Sequence, residues 1–251
     1  MQEDAHAGTP DFDTLWYLQA GWFEAPNIHR QGWSGVSRIP IADSSNAAGF
    51  HAFLKRQQNF MRRTWRHPVI GVPTFRCEYA MLLHLQQHGI PVPVPLFFSE
   101  KKLDGNTNAV LLTVELQGYV SLDAVLAWLS AEEWPLSRQR KLIKSIARTV
   151  ATLHAHKVQH RALYPKHIFI REQPQGEFDS VLIDLEKARF KWFSWQCTLH
   201  DLTTLNRDTP QLGLRQRLYF LHQYYQVGKL GQFSRWMAQR ITSRTLRKQK
   251  H

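Results

Sequence analysis

The sequence predicts an α+β fold made of two unequal parts. Three observations carry that prediction. The first 117 residues hold short apolar runs punctuated by glycine and proline, with one helical stripe among them. Gln117-Gly118-Tyr119 then breaks the chain and suggests a hinge. From Leu122 onward the apolar spacing is mainly helical, with only a few short strands.

The elements follow in order. Residues 1–20 read as a lead-in segment, 21–117 as a small β-rich lobe with one helix, and 118–251 as a larger, mainly helical lobe. Pro26 to Ile41 alternates short β-like runs with Gly32, Ser34 and Gly35. Phe50 to Leu54 reads as a strand ending at Lys55. Pro73 is placed to open a helix, where a missing N–H costs least. Phe75, Tyr79, Leu82 and Leu83 give that helix an apolar stripe, and Gly89 ends it. Ala109 to Leu116 is the near-continuous apolar run of a buried strand. In the second part, Leu142, Ile146, Val150 and Leu153 mark a helix from Ser137 to His156. Val181-Leu182-Ile183 is a short strand leading into Asp184. Leu214, Leu218, Leu221 and Tyr225 mark another helix, and Phe233, Trp236, Met237 and Ile241 a last, basic one.

Composition narrows the function classes. An apolar share of 43% and an aromatic share of 12% exclude a wholly disordered chain. The net charge of +12 calls for anionic surroundings such as nucleotide phosphates or an anionic lipid surface. Two distant cysteines, Cys77 and Cys197, suit a reduced cytoplasmic protein without a structural disulfide. The acidic start Met1-Gln2-Glu3-Asp4 does not read as a signal peptide. No recognised nucleic-acid-reading motif is present, so no nucleic-acid partner is expected.

The chemistry-bearing residues fall in one recognisable order. Residues 160–167 read His-Arg-Ala-Leu-Tyr-Pro-Lys-His. In protein kinases the corresponding loop reads His-Arg-Asp, then four residues, then a metal-binding Asn. That Asp accepts the proton of the attacking hydroxyl. Here Ala162 stands in the Asp slot and His167 in the metal-ligand slot. Upstream, Gly32 and Gly35 could let backbone amides approach phosphates, though two glycines also suit any hairpin. Lys55 would meet nucleotide phosphates, and Glu78 on the next helix would hold it as an ion pair. Glu115, before the hinge, completes the ATP-binding candidates. Downstream, Asp184 ends a strand and suits a magnesium ion. This order predicts a protein-kinase-like, two-lobed fold using ATP and Mg²⁺.

Several strings also resemble a specific group. Asn27 to Ile41, Phe53 to Asn59, Arg66-His67-Pro68, Pro73-Thr74-Phe75, Glu78-Tyr79 and Gly89 to Pro93 look like the InaA family. So do Tyr164-Pro165-Lys166-His167-Ile168 and Ile183-Asp184-Leu185-Glu186-Lys187-Ala188-Arg189. That family is grouped with the lipopolysaccharide core heptose kinases, the Kdo/WaaP group. Those kinases place His at the position of His167 and keep the Asp that Ala162 replaces here. The resemblance implies a cytoplasmic protein-kinase-like fold, ATP and Mg²⁺ use and a link to the cell envelope, with a lipopolysaccharide core sugar or a related envelope molecule as the acceptor to test; it does not establish the reaction.

Two function classes stay open. One is an ATP-dependent phosphotransferase in which Lys166, Glu186 or Tyr164 takes over part of the missing role. The other is a pseudokinase, a nucleotide-binding module acting through a protein partner or at the inner face of the cytoplasmic membrane. An alanine methyl accepts no proton, and general-base help is worth about 10²–10⁴ in rate. His160 and Arg161 are structural candidates, and Asp201 is placed to hold the loop backbone. Arg189, Lys191, Trp192, Phe193 and Trp195, and the basic C-terminus beside Trp236, suit an anionic membrane surface or a solvated basic face. His84 and His88 read as solvated histidines, and His154 and His156 carry little weight as zinc ligands.

Overall fold

The computed structural model describes residues 11–29, 32–43, 46–64, 67–131 and 134–249. Gln31, Arg66, Lys250 and the first ten residues of the lead-in lie outside the described residues. By internal packing the chain divides into two units. One comprises residues 1–80 and 94–115, the other 81–93 and 116–251.

The first unit begins with helix α1 (Phe12–Tyr17), capped by the Asp11 side chain, which accepts from Thr14 N at 2.9 Å. Three long antiparallel strands follow: β1 (Trp22–His29), β2 (Gly32–Asp43) and β3 (Asn46–Gln58). A short pair, β4 (Met61–Arg62) and β5 (Val72–Pro73), leads into α2 (Thr74–Gln87). Strands β6 (Pro95–Leu103) and β7 (Asn106–Val114) complete a five-stranded sheet in the order β1-β2-β3-β7-β6. Period-2 alternation puts Ala52 and Leu54 of β3 on its covered face. There they pack with Ile39, Val110, Leu112 and, from α1, Phe12 and Leu15.

The described part of the lead-in therefore belongs to this core. A buried cation ties it down. Arg56, 7% exposed, donates to the carbonyls of Trp16 and Leu18 at 3.1 and 2.8 Å and to Ser37 Oγ at 3.2 Å. Burial lowers its pKa, and the Trp22 ring lies over its guanidinium. Helix α2 starts one residue after Pro73 because buried Gln57 caps it. Its Oε1 accepts from Thr74 Oγ1 at 2.6 Å and from Phe75 N at 3.2 Å. Of the expected stripe, Phe75 and Leu82 are buried, but Leu83 is 37% exposed. Glu78, Met81 and Leu85 complete the buried face instead.

The second unit opens with β8 (Val120–Ser121), then α3 (Leu122–Ala131) and α4 (Leu136–Ala155). Leu142, Ile146, Val150 and Leu153 of α4 are buried as their spacing requires. Strands β10 (Ile168–Glu172) and β11 (Phe178–Leu182) pair with β8 in the order β11-β10-β8. A second small pair joins β9 (Val158–Gln159) to β12 (Arg189–Phe190). Helices α5 (Ser194–Arg207), α6 (Leu214–Tyr225) and α7 (Gln232–Gln249) follow. Leu214 and Leu218 of α6 are exposed, as are Phe233 and Trp236 of α7. Tyr224, Met237 and Ile241 carry the buried contacts of those helices.

His84 departs from the solvated reading, whereas His88 is exposed as that reading expects. The His84 ring lies 4.3 Å from His88 and 4.8 Å from Phe190, and His88 lies 4.6 Å from His156. Burial, then the two neighbouring imidazoles, lower the His84 pKa.

Candidate functional site

In the first unit, β3 and α2 bring one cation and one carboxylate together. Lys55 Nζ lies 2.6 Å from Glu78 Oε1. Lys55 sits in the sheet between Val36 of β2 and Leu111 of β7. The Glu78 side chain is only 4% exposed, that of Lys55 20%. A carboxylate so buried needs its partner, since an isolated one costs several kcal/mol.

The other first-unit candidates are engaged locally. Glu115 accepts a two-pronged hydrogen bond from Arg38 at 2.8 and 2.9 Å, with His51 Nδ1 at 3.8 Å. The Arg38 bonds outweigh burial and lower the Glu115 pKa. Gly32 and Gly35 lie within β2, and close packing accounts for both. A Cβ at Gly32 would meet the Asn59 carbonyl oxygen at 2.6 Å, and one at Gly35 the Trp22 ring at 2.4 Å.

In the second unit, the 160–167 loop is built around a buried carboxylate. Asp201 of α5 is fully buried and accepts from four donors. Its Oδ2 receives His160 N at 2.6 Å and His154 Nε2 at 3.2 Å. Its Oδ1 receives Arg161 N and His200 Nδ1, each at 3.0 Å. Burial by itself would raise this carboxyl, but the His154 and His200 hydrogen bonds hold it well below the usual carboxylate range. His154 passes the chain on to the Tyr224 hydroxyl at 2.8 Å, and Tyr224 meets Thr198 Oγ1 at 2.8 Å. This network sets Arg161 in a left-handed conformation, φ 69°. For a side-chain-bearing residue that conformation costs roughly 1–3 kcal/mol.

The loop then delivers His167 to Asp184. Pro165–His167 forms a single 3₁₀ turn, and Ile183 N donates to the His167 carbonyl at 3.0 Å. His167 Nδ1 lies 2.8 Å from the Ala162 carbonyl and 3.3 Å from Asp184 Oδ2. A carbonyl oxygen only accepts, so Nδ1 carries a proton. Asp184 is itself left-handed, φ 59° and ψ 59°, with about a third of its side chain exposed. Ala162 turns its methyl inward at 2% exposure. His160 is buried beneath His167, its ring near-parallel at 6.3 Å; burial lowers its pKa.

The remaining loop candidates sit at the edge. Tyr164 is half-buried, its ring 5.5 Å from His167 and its hydroxyl near Arg207. Lys166 is exposed. Glu186 is half-buried, with Lys187 Nζ at 3.8 Å. Sequence reasoning missed His154, His200, Tyr224 and Arg38 as partners of the candidates. One signal existed: His154 lies four residues after Val150, on the buried stripe of α4. Among the described residues no group of three or more His, Cys, Asp or Glu side chains is arranged to hold a metal ion. A magnesium ion bound largely by water and substrate phosphates needs only one or two protein carboxylates, and Asp184 fits that demand.

The comparisons agree with this architecture. The chain is 26% identical over 197 residues to Protein InaA of Escherichia coli, covering 78% of this chain and 87% of that one. It is 26% identical over 176 residues to the lipopolysaccharide core heptose(I) kinase WaaP of Pseudomonas aeruginosa. That match covers 64% of this chain and 62% of the kinase. The solved structure of WaaP in complex with acyl carrier protein shares the fold, with a TM-score of 0.67 at 20% identity. It covers 92% of this chain and 91% of that one. The family model of the lipopolysaccharide kinases matches residues 13–225, so the chain belongs to the lipopolysaccharide kinase (Kdo/WaaP) family.

Proposed function

We propose that this chain binds ATP with Mg²⁺ and acts on a lipopolysaccharide core sugar or a related envelope acceptor. The buried Lys55–Glu78 pair, 2.6 Å apart, is the observation that carries this reading. A lysine fixed on a sheet strand suits nucleotide phosphates. In this reading Asp184 holds the metal ion, whose chemistry is to neutralise charge developing on the phosphates. His167, whose Nδ1 lies 3.3 Å from Asp184 Oδ2, is the second residue that would help to hold it. Glu115 is held by Arg38 and both glycines are closely packed, so this reading does not lean on Gly32, Gly35 or Glu115.

Ala162 stands where the family's general base is expected, and it leaves only a buried methyl and a carbonyl. Transfer would then rest on positioning and electrostatics, with Lys166 and Tyr164 of the loop and Glu186 of the turn after Asp184 as the polar groups. The same observation favours a second reading, a pseudokinase that binds nucleotide and signals through a protein partner. A solved relative was determined with acyl carrier protein, which supports looking for a protein partner here. The exposed Phe190, Trp192, Phe193 and Trp195, interleaved with Arg189 and Lys191, support placement at an anionic membrane surface. No helix among the described residues is long and apolar enough to cross a membrane.

Labelled ATP, Mg²⁺ and a lipopolysaccharide core acceptor test the reading. Metal-dependent label on the sugar supports the transferase. ATP binding without any label on the acceptor supports the pseudokinase. No thermal shift with ATP–Mg²⁺ removes the basis of both.

A further inference from the structure

The second unit holds a polar cavity that shares no residue with the 160–167 loop or Asp184. It measures about 300 Å³ and is lined by Pro91, Tyr119, one face of α4 and residues 178–181 of β11. Water occupies roughly 30 Å³ per molecule in the liquid, so the space accepts a body of sugar size. One wall is fixed, because Leu182 N donates to the Pro91 carbonyl at 3.1 Å.

The charge in this cavity is unbalanced. Lys141, Lys144 and Arg148 of α4 line it, against Glu177 and Asp179. Glu177 is taken by Lys141 at 3.0 Å. Asp179 is taken by Arg171 at 3.0 Å and by the Gln173 amide. Lys144 and Arg148 have no carboxylate partner among the described residues. They stand one helical turn apart, where like charges repel. Hydroxyls lie between them and the strand. Ser145 Oγ donates to Ser180 Oγ at 3.0 Å, and Ser180 Oγ meets Thr149 Oγ1 at 2.7 Å. The Ser145 hydroxyl can rotate outward and donate to an anion instead.

We propose that this cavity binds a small phosphate-bearing ligand of sugar-phosphate size. Arg148 grips the phosphate with its planar fork, Lys144 adds a point charge, and Ser145 adds a hydrogen bond. The two charges now left unpaired are neutralised by one dianion.

Titration of the isotope-labelled full chain with glucose-6-phosphate, read by backbone amide shifts, tests this. Saturable shifts confined to residues 141–149 and 178–181 are expected, with inorganic phosphate competing and glucose producing none. The double variant Lys144→Ala/Arg148→Ala loses at least about tenfold in affinity, the scale of one charge-assisted hydrogen bond. Arg235→Ala/Arg240→Ala, which removes two charges from α7, leaves the affinity unchanged. Lys55→Met also leaves it unchanged, so this site and the nucleotide reading fail separately. Any of three results overturns the proposal: an equal loss in the α7 variant, an equal response to glucose, or binding only to phosphatidylglycerol vesicles.

Discussion

His167 Nδ1 donates to the carbonyl oxygen of Ala162 at 2.8 Å, while the Ala162 methyl faces inward at 2% exposure. The backbone of the loop therefore orients the histidine whether or not position 162 carries a carboxylate. The same nitrogen lies 3.3 Å from Asp184 Oδ2. In the proposed reading the loop keeps its metal side and lacks the side chain expected on its acceptor side.

Restoring that side chain tests which reading holds. Ala162→Asp is expected to raise metal-dependent ATP turnover by about 10²-fold, the low end of general-base assistance. The measurement is phosphate release, with and without a sugar acceptor. Unchanged turnover alongside intact nucleotide binding would mean that the loop no longer supports transfer chemistry.

Lys55 and Glu78 should separate binding from stability. Lys55→Met leaves the 4%-exposed Glu78 carboxylate uncompensated, so unfolding should come easier by roughly 3 kcal/mol. Lys55→Met/Glu78→Leu should recover most of that loss, because an apolar pair can replace a buried ion pair. Neither variant should show a thermal shift with ATP–Mg²⁺. A double variant that still binds ATP would remove Lys55 from the nucleotide site.

Asp201 should dominate the stability of the loop. Asp201→Asn replaces one acceptor oxygen with an amide facing two donors, and the expected cost near neutral pH is about 3 kcal/mol. The pH dependence has a definite sign. The folded carboxyl is held below the usual range, so its contribution is present above about pH 4, the ordinary carboxylate value. It is lost as pH falls further, because the unfolded chain takes up the proton first. The stability gap between the natural chain and Asp201→Asn should therefore narrow in acid, as denaturant unfolding at several pH values would show.

The aromatic-basic segment should bind lipid through both of its components. Trp192 is 85% exposed and Phe193 59%. Trp192→Ser/Phe193→Ser should weaken sedimentation with phosphatidylglycerol vesicles. Lys191→Ala should cost about fivefold, from roughly 1 kcal/mol per cation near an anionic surface. Equal binding to neutral phosphatidylcholine vesicles by all variants would count against the membrane reading.

Much of this protein was legible before folding. Helical spacing placed α4, and short apolar runs placed the central strands of the first unit, since apolar patterning records what is covered. The strings at Tyr164–Ile168 and Ile183–Arg189 carried the family. On α6 and α7 the spacing found the helices but only part of the covered face: Met237 and Ile241 are buried, whereas Leu214, Leu218, Phe233 and Trp236 face outward. It hid the role of Gly32, whose missing side chain makes room for the Asn59 backbone.

The sequence by itself determined the order of the elements, the residue types at each candidate position, and the alanine in the loop. It also paired Lys55 with Glu78 and set Asp201 on the loop backbone. Only the tertiary structure decided the further partners: His154 reaches Asp201 across 47 residues and Tyr224 across 70. Local propensity acts over a few residues, whereas these partners are chosen by burial. A carboxylate or imidazole removed from water must find donors and acceptors wherever the packed chain brings them.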